Sequence, residues 1–321
     1  MTDHPTKLPE NFSIIFMGTP DFAVPSLKAL VENKYNVIAV ITQPDRPKGR
    51  GRKLFASPVK QIALDFGIEV LQPERISTPE FCAEIQHRAP DLLIVTAFGQ
   101  ILKQEFLDIP GWGAINIHAS LLPKYRGAAP IHCAILNDED KTGLTAMKMD
   151  TGLDTGLILL QKELSISRDE TAGQLHDHLA ALSGRFVVQF MNALEENRLI
   201  EIPQDEKYAI YASKIDKRMS QINWDQSAKR ISAFIRALDP LPGAFTTCKN
   251  KKIKLFSSSV IDENQDTGIP GSIVGVSEGS LKVETGRGIV RIRELQAPGK
   301  KRLPADDFLR GFPLKEKTVL V

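Results

Sequence analysis

At 321 residues, with 42% hydrophobic and 25% charged side chains, the chain is long enough for a large core and two domains, and its composition is that of an ordinary globular protein. No apolar run reaches the length of a membrane span, and the polar stretch 1–11 lacks the apolar segment of a secretory leader, so the expected location is cytoplasmic. Three scattered cysteines, Cys82, Cys133 and Cys248, support neither a disulfide framework nor a Cys-rich zinc site.

The formal charge of +2 hides an asymmetry. Residues 1–208 carry 21 Lys+Arg against 27 Asp+Glu, whereas residues 209–321 carry 20 against 12. A mildly acidic body therefore precedes a basic final third suited to a polyanion.

Residues 12–17 predict an apolar strand, Gly18-Thr19-Pro20-Asp21 a turn, and 22–33 a helix with Pro25 in its first turn. Strands follow at 36–42, 69–71, 92–97 and 114–117, with helices at 56–66 and 78–87 between them. This alternation predicts an α/β fold: a Rossmann-like, mostly parallel sheet with helices on both faces. Later strands are expected at 143–149 and 157–161 and a long helix over 169–197, before the pattern loosens into a linker at 199–224. A helix at 226–237 then leads into β-like runs at 244–248, 252–256, 272–276, 280–284 and 288–295. Their Gly/Pro punctuation every 8 to 12 residues predicts a small antiparallel barrel of OB-like type.

Nucleotide signatures are absent. Gly18-Thr19-Pro20-Asp21-Phe22-Ala23 lacks the spaced glycines of a dinucleotide loop, and no Gly-Lys-Ser/Thr loop occurs. His176-Asp177-His178 falls in a helical pattern whose i and i+2 residues diverge, so it reads as a solvated face, and no metal is expected.

The chemistry-bearing pattern is Asn116-Ile117-His118 at a strand end. Alternate strand residues share a face, so an amide and an imidazole converge beside the Pro-bounded segment Ser120-Leu121-Leu122-Pro123. That pairing suits a developing oxyanion and a proton in transit. In Met149-Asp150-Thr151-Gly152-Leu153-Asp154-Thr155-Gly156, Asp150 reads as a turn-former, whereas Asp154 lies just past a strand, where it could reach the same spot.

With these residues in view, the chain resembles the methionyl-tRNA formyltransferases, within the folate-dependent formyltransferase superfamily, over nearly its whole length. The resemblance is carried by Phe16-Met17-Gly18-Thr19-Pro20-Asp21-Phe22, the basic stretch 43–51, Asn116 to Pro123, Arg126-Gly127-Ala128-Ala129-Pro130-Ile131 and Met149 to Gly156. It implies transfer of the formyl group of 10-formyltetrahydrofolate to the α-amino group of methionyl initiator tRNA, giving N-formylmethionyl-tRNA for translation initiation. It implies Asn116, His118 and Asp154 as the catalytic set, with Ser120, Leu121, Leu122 and Pro123 as the folate-binding segment. The pterin is expected along 92–98, bordered by Phe98-Gly99.

The expected organisation is a folate-binding catalytic domain (1–198), a linker (199–224) and a tRNA-binding barrel (225–321), acting as a monomer. The segment 44–53, with Arg46, Lys48, Arg50, Arg52 and Lys53 broken by Pro and Gly, is expected to be a mobile loop with no regular structure that orders on the tRNA, Arg50 leading. Lys249, Lys251, Lys252, Lys254, Lys300, Lys301 and Arg302 are expected to meet phosphates. Two alternatives share parts of this pattern. One is a formyltransferase for a small amine, such as a purine-pathway ribonucleotide or an amino-sugar nucleotide; the other is a non-catalytic RNA-binding protein.

Overall fold

The computed structural model describes residues 8–48, 53–264, 268–277 and 279–321, leaving aside the side chains of Lys48, Lys53 and Lys217. The chain divides into two units: Met1–Gly127, Thr142–Leu164 and His176–Tyr211 form the first, and Ala128–Lys141, Ser165–Leu175 and Ala212–Val321 the second. Residues 199–211, within the stretch expected as a linker, belong to the first unit.

In chain order the first elements are β1 (Ser13–Gly18), α1 (Val24–Glu32), β2 (Asn36–Ile41), β3 (Arg46–Lys48), β4 (Lys53–Phe55), α2 (Pro58–Asp65), β5 (Val70–Leu71), α3 (Pro79–Arg88), β6 (Leu92–Thr96), α4 (Gln104–Leu107), β7 (Ala114–His118) and β8 (Arg126–Gly127). Next come α5 (Pro130–Leu136), β9 (Lys141–Lys148), β10 (Ile158–Ser165), α6 (Ala172–Glu195) and β11 (Tyr211–Ala212).

The main sheet runs β10-β9-β7-β6-β1-β2-β5. β1, β2, β5, β6 and β7 pair in parallel, and β9 runs antiparallel to β7. Every residue of β1 and β6 is buried, the mark of strands covered on both faces. The helices start where the sequence supplies caps: Ser57 and Thr78 accept the backbone N–H of Lys60 and Phe81, each followed by a proline in the first turn. At the end of β1, Gly18 is required by crowding, since a Cβ there would lie 2.8 Å from that of Ala23 and 3.0 Å from the carbonyl oxygen of Thr96.

One expectation needs correction here. The basic segment contains regular structure: Arg46, Pro47 and Lys48 pair antiparallel with Phe55, Leu54 and Lys53. Proline is tolerated because the ribbon has only two strands, so both are edges. Arg50 and Arg52 lie outside the described residues.

The second unit contains α7 (Ala228–Ala237), β12 (Ala244–Cys248), β13 (Lys251–Asp262), β14 (Ile273–Ser277), β15 (Ser280–Glu284), β16 (Ile289–Gln296), β17 (Leu303–Pro304) and α8 (Ala305–Gly311). Five strands run antiparallel in the order β12-β13-β16-β15-β14, and β17 adds to β16. The tail joins the sheet's two edges: Val321 exchanges backbone hydrogen bonds with Thr247 of β12, while Thr318 accepts from Ile273 of β14 and Leu320 donates to Gly271. The strand-rich end thus curls into the expected barrel around Trp224, Ile231, Ile235, Leu255, Leu281, Val290 and Leu295. No helix among the described residues is long and apolar enough to cross a membrane.

Candidate active site

β7 delivers Asn116 and His118 at the carboxyl end of a parallel strand, where open α/β sheets place their ligand crevices. Asp154 arrives from the turn between β9 and β10. Asn116 Nδ2 donates to Asp154 Oδ1 at 3.3 Å, and His118 Nδ1 lies 3.7 Å from Asp154 Oδ2. The three side chains expected to converge are therefore together. Asp150 stays a turn-former, accepting from the Gly152 N–H and the Thr155 hydroxyl.

His118 is 6% exposed, and its Nε2 lies 2.9 Å from the carbonyl oxygen of Tyr125. A carbonyl only accepts, so Nε2 carries the hydrogen and Nδ1 is the atom free to gain or lose a proton. That atom faces the carboxylate. Asp154 Oδ2 also accepts the Gly127 N–H at 2.8 Å. Among the described residues, the partners of Asp154 are an amide, a backbone N–H and an imidazole, with no lysine or arginine. Among the described residues, the second N–H of Asn116 has no partner.

The segment after β7 is held from within. The Ser120 hydroxyl donates to the carbonyl oxygen of Lys124, and Thr145 Oγ1 joins the Ser120 carbonyl to the Leu122 N–H. Ser120 is fully buried and Leu122 is 3% exposed, packed with Met147 and Ile158. Their side chains serve the scaffold. Leu121 and Pro123 are half-buried. A Cβ on Gly143 would lie 2.1 Å from the carbonyl oxygen of Lys162 and 2.7 Å from Leu121 Cδ2, so only glycine lets this segment sit so close. Phe98 is buried in the core, and its carbonyl accepts from Thr19 and Gln43.

Sequence reasoning missed a support behind Asp154. Arg126, fully buried, donates from Nε to Gln204 Oε1 at 3.0 Å and from both terminal nitrogens to Glu206 at 3.0 and 2.8 Å. Gln204 Nε2 in turn donates to the carbonyl oxygens of Asp154 (2.9 Å) and Gly156 (2.8 Å). Arg126 holds the Glu206 carboxyl below its usual range. A polar stretch without periodicity gave no sign of this partnership.

The basic residues fare unequally. Arg46, Lys249, Lys251, Lys252, Lys300 and Lys301 are exposed, with Lys252 Nζ 3.2 Å above the Phe245 ring. Arg302 is not free for phosphate. Its guanidinium grips Asp239 at 2.6 and 3.1 Å, pairs with Glu294 and lies 4.2 Å over the Phe256 ring. Asp239, 3% exposed, needs that cation, and so claims it. Lys254 donates to the Pro242 carbonyl at 2.6 Å.

Two family models match: Formyl transferase over residues 11–191 and Formyl transferase, C-terminal domain, over 214–313. The chain is 47% identical over 307 residues to the methionyl-tRNA formyltransferase of Acetivibrio thermocellus, covering 96% of this chain and 99% of that one. It is 49% identical over 303 residues to that of Geobacter metallireducens, covering 94% and 96%. Among solved structures, a sugar 3N-formyl transferase, WlaRD, in the presence of dTDP and 5-N-formyl-THF, superposes with a TM-score of 0.66 at 23% identity over 91% of this chain and all of that one. HypX from Aquifex aeolicus in complex with tetrahydrofolic acid gives 0.63 at 17% over 96% of this chain and half of that one. At such identities these two show the fold alone.

Proposed function

The chain belongs to the methionyl-tRNA formyltransferases, and from that premise we propose that Asn116, His118 and Asp154 carry its chemistry. The reaction moves the formyl group of 10-formyltetrahydrofolate to the α-amino group of methionyl initiator tRNA. The observation that carries the assignment is the meeting of an amide, an imidazole and a carboxylate at one strand end.

The neutral amine attacks the formyl carbon, giving a tetrahedral intermediate with an oxyanion. The second N–H of Asn116 donates to that oxygen, an interaction of about 3 kcal/mol where it forms only as charge develops. His118, its Nε2–H anchored on Tyr125, exchanges a proton at Nδ1, and the carboxylate of Asp154 steadies the charged imidazole. The ammonium proton passes through this pair to the folate N10, which departs as a neutral amine as the carbonyl re-forms. The folate lies along 120–123, met by backbone and by Leu121 and Pro123.

Exposed Arg46, Lys249, Lys251, Lys252, Lys300 and Lys301 meet tRNA phosphates, joined by Lys48, Arg50, Arg52 and Lys53 of the basic segment. These contacts position the tRNA without reading its sequence. The protein acts as a monomer in the cytoplasm, a reading that sedimentation and fractionation check.

A formyl-transfer assay comparing charged initiator tRNA, charged elongator tRNA and small amines tests the assignment. Transfer to initiator tRNA should exceed the others, and its KM should rise steeply with salt. Equal transfer to a nucleotide-linked amino sugar would replace the tRNA by a small amine.

A further inference from the structure

Asp154 occupies an awkward place. Its φ is +55°, in the left-handed region, and it lies in a turn whose carbonyl oxygens at 154 and 156 bond to no strand among the described residues. Such a residue holds its position only if its surroundings over-determine it. The Asn116 and Gly127 donors fix the carboxylate, but neither fixes the backbone that carries it.

Gln204 does. Both hydrogens of its Nε2 are used, one on each orphan carbonyl of the turn. Its Oε1 accepts from Arg126 Nε. Flipping the amide would set its oxygen against two carbonyl oxygens and its nitrogen against an arginine that can only donate, so one orientation alone is compatible with its neighbours. Glu206 takes the two terminal nitrogens of Arg126 and balances its charge. The guanidinium therefore reaches Asp154 only through a neutral amide, and the carboxylate is positioned without being paired to a permanent cation.

We propose that Gln204 is the positioning residue of Asp154 and that Arg126 locks it in the one amide orientation that serves. The assignment rests on Asp154 being catalytic. Freed of Gln204, the turn relaxes, the carboxylate swings from His118 Nδ1, and the chemical step slows while both substrates still bind, because displacements of about an ångström are enough to cost a hundredfold.

The test is a double-mutant cycle with 10-formyltetrahydrofolate and charged initiator tRNA, using Gln204→Met, which keeps the bulk and removes the amide, and Asp154→Asn. Rates come from single turnovers with enzyme in excess, so that slow variants remain measurable. Gln204→Met alone should lower kcat by about 10- to 100-fold, with KM for either substrate within about twofold. In the Asp154→Asn background it should change the rate by less than about twofold, since a residue acting through Asp154 has nothing left to position. Gln204→Asn, which keeps the amide but is one methylene short, should behave like Gln204→Met and provides the same cycle should Gln204→Met not fold. The same fold-loss in both backgrounds would make Gln204 a structural residue and overturn the proposal, as would an undiminished kcat in the single variant. Wild-type turnover by Asp154→Asn would instead refute the catalytic reading of Asp154 itself.

Discussion

Two buried or nearly buried aspartates in this molecule are held in opposite ways. Asp239, in the second unit, is gripped by Arg302 through both oxygens, with the Ser257 N–H on one of them at 3.0 Å. Asp154, in the first, is held by an amide and a backbone N–H, with the His118 imidazole 3.7 Å away, and its backbone is braced by Gln204. A carboxylate neutralised by arginine has little left to offer a passing proton; one held by neutral donors keeps its charge for the group in front of it. The contrast separates an aspartate that organises a domain from the one proposed to take part in the chemistry.

The sharpest way to break the contrast is to remove each aspartate's partners and read turnover and stability side by side. His118→Ala and Asp154→Ala should each lower kcat by about a thousandfold, with tRNA affinity changed less than about threefold by equilibrium binding. Unimpaired turnover would erase the distinction. Asn116→Ala should cost about a hundredfold in kcat, a loss read most directly in single turnovers. On the other side, Arg302→Met should leave kcat within about twofold yet lower stability by about 2–3 kcal/mol in denaturant titration. That is less than for a fully buried pair, because the guanidinium is 29% exposed.

The smallest effect is one of pH. Burial pulls the Glu294 carboxyl upward, but hydrogen bonds from Arg302 and Ser257 outweigh it and hold the group below its usual range. A depressed folded value means that its contribution is full above the unfolded carboxylate value, near 4.3, and is lost as pH falls through the folded value. The stability gap between wild type and Arg302→Met should therefore narrow by under about 1 kcal/mol between pH 6 and pH 3, in paired denaturation curves. A gap that widens would reverse the sign.

Much of this was legible in the chain. The short apolar runs at 12–17 and 92–97 read as buried strands, and the alternation around them made the parallel sheet readable. Asn116 and His118 were legible because two residues on a strand share a face whatever the tertiary structure. Other features were hidden for physical reasons. β13 runs through Ser257-Ser258-Ser259, which has the composition of a turn; Ser257 sits at φ +50° and the Ser258 hydroxyl reaches Ser232, so the strand continues where its composition suggests a stop. The β3–β4 pairing was hidden by Pro47, which a two-stranded ribbon tolerates. Arg302 looked like its lysine neighbours because a sequence shows a charge but not the carboxylate that claims it. Gln204 meets carbonyl oxygens 50 and 48 residues away, a contact no local pattern announces.

The segment Tyr125-Arg126-Gly127 touches both halves of the proposed catalytic pair, the Tyr125 carbonyl on the imidazole and the Gly127 N–H on the carboxylate. A residue change that displaced this one segment would bear on ring and carboxylate at once.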